Sequence, residues 1–312
     1  MVIGYQKEWQ FLKKSFLNSK LAHGYLFSGP EGIGKKTLAI EFVRFIHCQE
    51  KEIKKKPCGI CSACRMVSKG IHPDALFLAS LVKNKEIQIT QIRDLISRLS
   101  LKPFFSRYKT VIVDGAHLMN RQAQNCFLKT LEEPKGNTLL ILITEHPEAL
   151  AETIRSRLQE IKFSSFARTE IIEFLEERGI KGKKAEEIAV LSLGRMGRVL
   201  NFLANPDRLA EEKKRMLSFV EVLDSDMAVR FQYVESIAKE PLGEILEIWL
   251  RYFREIFLSK VRNSASAAIV GTNQYSLVKV KKICEELERI NFLISTSNLN
   301  QRLALEILMM NI

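Results

Sequence analysis

The 312-residue chain has no long apolar run and no excess of acidic residues. Its longest purely apolar runs, such as Leu139–Ile143, fall far below the roughly 20 residues that a membrane span needs. The N-terminal residues are too polar for the apolar core of a signal peptide. Low-complexity linkers and internal repeats are also missing from the sequence. We therefore expect a cytoplasmic protein without a membrane segment.

The composition, 46% hydrophobic and 27% charged, is typical of a globular protein and excludes a disordered or collagenous chain. The length predicts two or three domains. The 48 basic and 36 acidic residues give a net charge of +12, which favours polyanionic partners, nucleic acid first among them. A solvated lysine-rich surface explains the same charge, so both interpretations stay open at this point.

Short apolar runs alternate with helical patterns from residue 24 to about residue 163. Several runs are apolar throughout, as in strands that are covered on both faces of a parallel sheet. The predicted strands are Tyr25–Ser28, Ala75–Ala79, Thr110–Asp114, Leu139–Thr144 and Gln159–Phe163. The predicted helices between them are Thr37–Cys48, Thr90–Leu101 and Arg121–Glu133. The alternation predicts an α/β domain with a mainly parallel sheet.

The pattern changes after about residue 165, where strands disappear and apolar residues recur at helical spacing. We predict three domains: residues 1–164, a small helical domain at 165–205, and an all-α domain at 206–312, with the last boundary at Pro206. The segment Leu242–Leu258 has a wide apolar stripe. Packing within the helical domain explains that stripe, and contact with a protein partner is the alternative.

Four of the six cysteines lie within a short segment, at positions 48, 58, 61 and 64, inserted after the first helix of the α/β domain. In a reducing cytosol this spacing favours a metal over disulfides. Four thiolates suit tetrahedral Zn²⁺ and leave no open position for a catalytic water, so the predicted site is structural. An iron–sulfur cluster and a metal-free cluster are the alternatives. The candidate metal ligands are Cys48, Cys58, Cys61 and Cys64; no role is predicted for Cys126 or Cys284.

The first strand runs into Gly29-Pro-Glu-Gly-Ile-Gly-Lys-Lys-Thr, which has the spacing of a phosphate-binding loop before a helix. In such loops glycines let backbone N–H groups surround phosphate oxygens, and a lysine supplies charge. The residue after Lys35 should carry a hydroxyl that ligates Mg²⁺, but it is Lys36, and Thr37 follows one position late. The candidate phosphate-binding residues are Gly29, Gly32, Gly34, Lys35, Lys36 and Thr37. Binding of ATP and Mg²⁺ stays open.

Asp114 ends a buried strand, where an NTPase places an acidic residue at the metal. The next residue is Gly115, although many hydrolases of this type place there a glutamate that activates water. His117 is interpreted as a structural histidine rather than a substitute base. ATP hydrolysis by this chain alone is therefore not expected.

Together these motifs resemble one family: the delta-prime subunit of the bacterial DNA polymerase III clamp loader, an AAA+ protein related to gamma/tau and to the replication factor C small subunits. The resemblance covers residues 20–204. Besides the phosphate loop and the cysteines, it rests on Val111–Asn120, Leu128–Pro134, Leu139–Glu145, Thr153–Gln159 and Gly194–Leu200. It implies an AAA+ domain with a zinc module at 48–64, a helical lid, and a C-terminal collar domain that joins a hetero-pentameric loader.

The resemblance also implies residue roles. The Ser-Arg-Cys motif of the family falls on Ser156, Arg157 and Leu158, so Arg157 is expected to act in trans as an arginine finger on the ATP of a neighbouring gamma subunit. Thr144 falls at the sensor-1 position. The sensor-2 arginine position falls on Gly197, with Arg198 one residue later.

The function implied is that of a non-hydrolysing stator, with gamma/tau, delta, the sliding clamp and primer–template DNA as partners. Any enzymatic activity would then belong to the polymerase III holoenzyme. Two rivals stay open: an active gamma-type ATPase, and a stand-alone DNA-binding protein suggested by the positive charge.

Overall fold

The computed structural model describes residues 4–80, 86–238, 242–262, 275–296 and 300–312. The chain divides into two compact units. One comprises the residues up to Ala167 together with Gly194–Gly197, and the other comprises Arg168–Leu193 and Arg198–Ile312. The predicted division into three domains, with boundaries at residues 164 and 205, stays a prediction.

The first unit contains a five-stranded parallel sheet, as the sequence predicts. Its strands are β1 (Gly24–Ser28), β2 (Ala75–Ala79), β3 (Lys109–Asp114), β4 (Thr138–Thr144) and β5 (Gln159–Lys162). Their order across the sheet is β2-β3-β4-β1-β5, and every neighbouring pair is parallel. All five predicted strands are present, with ends within one residue of the prediction.

The central strands are apolar throughout because helices cover both faces of the sheet. In β4, Ile141 contributes to a core on one face and Leu142 to a core on the other. In β1, Phe27 and Leu26 divide in the same way. Side chains alternate between the faces of a strand, so a strand that is buried on both faces shows no polar alternation.

The described residues of this unit also form six α-helices: α1 (Gln6–Leu17), α2 (Lys35–His47), α3 (Ser62–Ser68), α4 (Ile89–Ser100), α5 (Arg121–Glu132) and α6 (Glu152–Arg155). Helix α2 begins at Lys35, two residues before the predicted start, because the glycine-rich loop turns directly into the helix. Lys35 and Lys36 are therefore in its first turn, next to the positive end of the helix dipole.

Parallel pairing brings the carboxyl ends of three strands to one edge of the sheet. Ser28 at the end of β1 pairs with Thr144 at the end of β4, and Asp114 at the end of β3 pairs with Ile143. The phosphate loop follows β1, so it lies at this edge beside Asp114 and Thr144. Ligands of open α/β sheets bind at such edges.

The second unit is helical. Its helices are α7 (Arg168–Glu176), α8 (Lys183–Ser192), α9 (Met196–Ala204, whose first two residues belong to the first unit), α10 (Pro206–Leu223), α11 (Met227–Ile237), α12 (Leu242–Arg262), α13 (Leu277–Thr296) and α14 (Gln301–Asn311). Pro206 is the first residue of α10, a position that suits proline because the N–H has no helical partner there.

The apolar stripe of α12 is part of a core rather than an open surface. Trp249 and Phe253 are completely buried, and Trp249 stacks on Phe219 of α10 with ring centroids 4.8 Å apart. Helices α13 and α14 supply further side chains to the same core, including Leu287 and Leu308. Packing within the helical unit therefore explains the stripe. Among the described residues, no helix is long and apolar enough to cross a membrane.

Candidate functional site

Glycines shape the loop between β1 and α2. Gly29, Gly32 and Gly34 all have positive φ, at 141°, 74° and 106°. A side chain on Gly29 would also clash, because a Cβ there would lie 2.3 Å from the carbonyl oxygen of Phe163. The loop therefore needs glycine for its backbone path, as the phosphate-loop motif predicts.

Lys35 is buried within this loop, with only 6% of its surface exposed. Its Nζ donates to the carbonyl oxygens of Gly29, at 2.5 Å, and of Pro30, at 2.6 Å. Burial lowers the pKa of Lys35 to about 8, and nearby carboxylates counter this only in part. The ammonium group is thus held at the loop and is less basic than that of an ordinary lysine.

Lys36 forms an ion pair with Asp114, whose carboxylate is the acidic group at the end of β3. Lys36 Nζ lies 3.0 Å from Asp114 Oδ2. Both side chains line a cavity of about 420 Å³ at the carboxyl edge of the sheet, together with Lys35 and Thr37. The side chains at the two positions where a phosphate-loop protein holds Mg²⁺ are therefore paired with each other.

Gly115 occupies the position after Asp114 in a left-handed conformation, with φ of 71°. Next to it, His117 is buried, and its Nδ1 lies 3.2 Å from Thr144 Oγ1. Burial lowers the pKa of His117 to about 4, so its ring is neutral at pH 7. The histidine is fixed by Thr144, the predicted sensor-1 residue, which agrees with its interpretation as structural.

Glu145 follows Thr144 and also lines the cavity. Its pKa is raised, first by burial and then by the nearby charge of Glu31. Glu145 is the last residue of the Leu139–Glu145 motif, but its place in the sequence provides no reason to assign it a role, because it stands one residue beyond the predicted strand end. It adds negative charge to a pocket that is expected to hold phosphate.

Gly197, at the predicted sensor-2 position, touches the phosphate loop with its backbone. Its N–H donates to the carbonyl oxygen of Gly32 at 2.8 Å, and a Cβ on Gly197 would lie 2.6 Å from that oxygen. Arg198, the next residue, pairs instead with Glu212 and Glu247 in the second unit. Neither residue therefore places a guanidinium at the loop.

A different arginine, Arg195, lies beside the loop and was missed by sequence reasoning. A Cβ built on Gly32 would lie 3.7 Å from Arg195 Cδ. The charge of Arg195 also acts on the pKa of both Lys35 and Glu145, lowering each. Only the fold could reveal this, since Arg195 is far from the loop in the sequence.

Arg157 lies at the surface immediately after helix α6. Its Nη2 is 2.6 Å from Glu132 Oε1, and its Nη1 donates to the carbonyl oxygen of Thr153 at 2.8 Å. The neighbouring Ser156 is exposed, and its hydroxyl donates to the same carbonyl at 3.3 Å. The guanidinium is thus accessible but held in one orientation by α5 and α6.

The four clustered cysteines converge as their spacing predicts. Their Sγ atoms all lie within 4.8 Å of one another, and none is in a disulfide. Cys61 accepts a hydrogen bond from the backbone N–H of Cys64 and caps helix α3, while Cys48 follows the end of α2. Cys126 and Cys284 stand apart from this group. The donor set and its compactness fit a tetrahedral four-thiolate metal site.

Local hydrogen bonds favour the thiolate of Cys58, whereas burial disfavours the thiolates of Cys48 and Cys64. Backbone N–H groups of Cys61 and Ile60 lower the pKa of Cys58 to about 6. Burial raises the pKa of Cys64 to about 12, with the neighbouring sulfur atoms adding to it. A divalent cation would relieve that cost, because it binds the deprotonated form of every ligand.

A family model described as "DNA polymerase III, delta subunit" matches residues 4–167, which is more than half of the chain. The match covers the phosphate loop, the cysteine cluster, Asp114 and Arg157.

Known proteins of this kind are also similar to the chain. It is 28% identical to DNA polymerase III subunit tau of Bacillus subtilis over 286 residues, 83% of this chain and 50% of that protein. It is 40% identical to DNA polymerase III subunit delta' of Pseudomonas aeruginosa over 136 residues, 44% of this chain and 41% of that protein. The chain thus spans half or less of the length of these two relatives.

Two further matches have different strengths. DNA polymerase III subunit delta' of Bacillus subtilis is 28% identical over 247 residues, 79% of this chain and 70% of that protein. A solved gamma-subunit-related protein from Thermotoga maritima aligns over 97% of both chains with 17% identity and a TM-score of 0.46, too low to support an argument about function.

Proposed function

The chain belongs to the DNA polymerase III delta-subunit family, and from this premise we propose that it acts as a delta-prime-type clamp-loader subunit that does not hydrolyse ATP. In this role it assembles with gamma/tau and delta subunits, and the complex opens the sliding clamp and places it on primer–template DNA. The chain contributes a fixed geometry and an arginine finger to the ATP site of a gamma/tau neighbour.

The Lys36–Asp114 ion pair is the single observation that carries this proposal. Hydrolysis in phosphate-loop enzymes needs a metal at the acidic residue and a group that orients water. Here an ammonium group takes the carboxylate, and the following residue is glycine. Because an ammonium group replaces the metal and a glycine replaces the group that orients water, the site is suited to a structural role.

The position of Arg157 supports the trans role. An arginine finger must reach out of its own subunit, and Arg157 is about one-third exposed on its side chain. It must also be oriented before the partner binds, and Glu132 and the carbonyl of Thr153 hold it. A fixed guanidinium can then stabilise charge on a phosphoryl group that a neighbouring subunit transfers to water.

We further propose that Cys48, Cys58, Cys61 and Cys64 hold one structural Zn²⁺. The ion would tie the end of α2 to the start of α3, since Cys48 follows α2 and Cys61 caps α3. A closed four-thiolate site stabilises local structure and takes no part in a reaction.

An active gamma/tau-type ATPase is the second candidate, favoured by the 28% identity to a tau subunit over 83% of this chain. It predicts ATP turnover by the purified chain, and loss of that turnover in Lys35→Ala. The delta-prime proposal predicts turnover at the background level for both proteins.

The experiment combines turnover with assembly. Phosphate release by the full chain is measured with and without primed DNA, and the chain is then mixed with gamma/tau and delta subunits and analysed by size-exclusion chromatography. The proposal predicts no turnover by the chain and its entry into a stable complex. Turnover that Lys35→Ala abolishes would contradict it, as would failure to join the complex.

A further inference from the structure

The Lys36–Asp114 ion pair occupies the place where a phosphate-loop protein binds Mg²⁺. In such proteins a hydroxyl after the loop lysine and an acidic residue at the end of another strand of the sheet are the two protein groups near the metal. Position 36 carries an ammonium group instead, and it lies 3.0 Å from Asp114 Oδ2. An ammonium group has no lone pair and cannot be a ligand.

The residues present therefore do not fit Mg²⁺. A divalent ion at Asp114 would face the positive charge of Lys36 at close range, and it would have to displace that charge from the carboxylate. The hydroxyl of Thr37 is no replacement, because one residue further along a helix points about 100° away. The site lacks the metal ligand but keeps a positive charge in its place.

The remainder of the phosphate site is built. The loop has the three glycines with positive φ that its backbone needs. Lys35 is buried at the loop, and Arg195 lies beside Gly32. Gly32, Gly34 and Lys35 border a cavity of about 420 Å³ with Lys36 on its wall.

The charges around the cavity are balanced without a metal. Lys35, Lys36 and Arg195 are positive, whereas Glu31, Asp114 and Glu145 are negative. Lys36 neutralises Asp114, the carboxylate that a metal would otherwise neutralise. A phosphate chain entering the cavity would thus meet Lys35 and Lys36 without repulsion from an unpaired Asp114.

We propose that the Lys36 ammonium is a tethered replacement for Mg²⁺, so that this loop binds the phosphate groups of a nucleoside triphosphate as the metal-free anion. The inference rests on the proposed non-hydrolysing role and gives its nucleotide site a defined ligand. The positive charge of Lys36 then takes the place of the Mg²⁺ ion that other phosphate-loop proteins bind from solution. Excess Mg²⁺ complexes the free triphosphate in solution and therefore weakens binding at this loop instead of promoting it.

The test measures binding of a fluorescent N-methylanthraniloyl ATP to the full chain, once in EDTA and once in excess Mg²⁺ at equal ionic strength. Wild-type protein is expected to bind in EDTA, and excess Mg²⁺ is expected to lower its apparent affinity, because the metal complexes the free anion. Lys36→Thr supplies the missing hydroxyl and removes the ammonium group. Its affinity in EDTA is expected to fall roughly tenfold or more, as when one charge-assisted hydrogen bond is lost, and Mg²⁺ is expected to restore it.

Lys36→Met is the matched control, because it removes the charge without supplying a hydroxyl. It should lose affinity in EDTA to the same extent and gain nothing from Mg²⁺. The side chain of Lys36 is 57% exposed, so neither variant threatens the fold. Phosphate release is followed in the same samples, because turnover by wild-type protein would refute the non-hydrolysing role separately from any result on affinity.

Three results would overturn the inference: wild-type binding that requires Mg²⁺, no binding by wild-type protein in either buffer, or unchanged affinity of Lys36→Met in EDTA. Absence of binding by wild-type protein in both buffers would show that the Lys36–Asp114 ion pair blocks the nucleotide site.

Discussion

Arg157 and Glu132 form an ion pair, with 2.6 Å between Nη2 and Oε1, that connects the end of helix α6 to the end of helix α5. Glu132 is about half exposed and Arg157 about one-third, so the pair lies at the surface. Surface pairs of this kind stabilise a fold by about 0–1 kcal/mol. The contact therefore orients the guanidinium without being needed for folding.

Glu132→Gln tests this orienting role. The change removes the charge that holds Arg157 but leaves Arg157 itself. In a complex reconstituted with gamma/tau and delta subunits, we expect clamp- and DNA-stimulated ATPase to fall severalfold, because the guanidinium samples more orientations before it meets the phosphate. The neighbouring Glu133→Gln is the control and should behave as wild type. Equal rates for both variants would rule out a positioning role for Glu132.

The cysteine cluster predicts one zinc ion per chain. Elemental analysis of the purified full chain should give about one Zn²⁺ per molecule, and an iron signal instead of zinc would favour the iron–sulfur alternative. Cys61→Ser should lose the metal and loosen α3, measured by protease cleavage between residues 48 and 68. Cys126→Ser, outside the cluster, should retain both zinc and protection. A wild-type protein free of metal would contradict the proposal.

The lowered pKa of Lys35 predicts how nucleotide binding depends on pH. The protonated lysine is the binding form, and its pKa in the free chain is about 8. Affinity for the fluorescent ATP in EDTA should be constant from pH 7 to 7.5 and fall above pH 8, by up to tenfold per pH unit, because the chain must then take up a proton to bind. Lys35→Arg keeps its charge throughout this range and should give a flat profile. A flat profile for wild type would exclude Lys35 as the titrating group.

Gly197→Ala tests the backbone contact between Gly197 and Gly32 of the phosphate loop. The new Cβ would lie 2.6 Å from the carbonyl oxygen of Gly32, so one of the two backbones must move. We expect a loss of about 1–3 kcal/mol in the free energy of unfolding, as for other overpacked sites. Gly243→Ala in α12, where a Cβ meets nothing within 4 Å, should cause no loss. Equal stability of the two variants in denaturant titrations would contradict this packing.

Local patterns in the sequence were sufficient to predict the sheet and the cysteine site. Strands such as β4 are apolar on both faces, and short uninterrupted apolar runs of this kind are typical of strands in a parallel sheet. The cysteines lie close together in the chain, so their convergence needs little help from the rest of the fold. Lys36 stands in an otherwise complete phosphate-loop motif, and Gly115 follows the expected acidic residue at a strand end. The sequence alone therefore shows that both positions differ from the motifs.

Contacts between distant segments were beyond sequence reasoning. The Lys36–Asp114 pair, the approach of Arg195 to Gly32, and the hold of Glu132 on Arg157 each join residues from different loops or helices. Each depends on where parallel strands and their crossover helices place the intervening chain. No periodicity or spacing carries that information.

The most direct test of the central claim compares Arg157→Ala with wild type in the reconstituted loader with gamma/tau and delta, using clamp- and DNA-stimulated ATPase. Arg155→Ala, an exposed arginine two residues earlier, is the matched control. The account predicts intact complexes in all three cases, wild-type turnover for Arg155→Ala, and turnover lower by at least an order of magnitude for Arg157→Ala, in keeping with other arginine fingers. Unchanged turnover by an intact complex containing Arg157→Ala would contradict it and reduce the role of the chain to a scaffold.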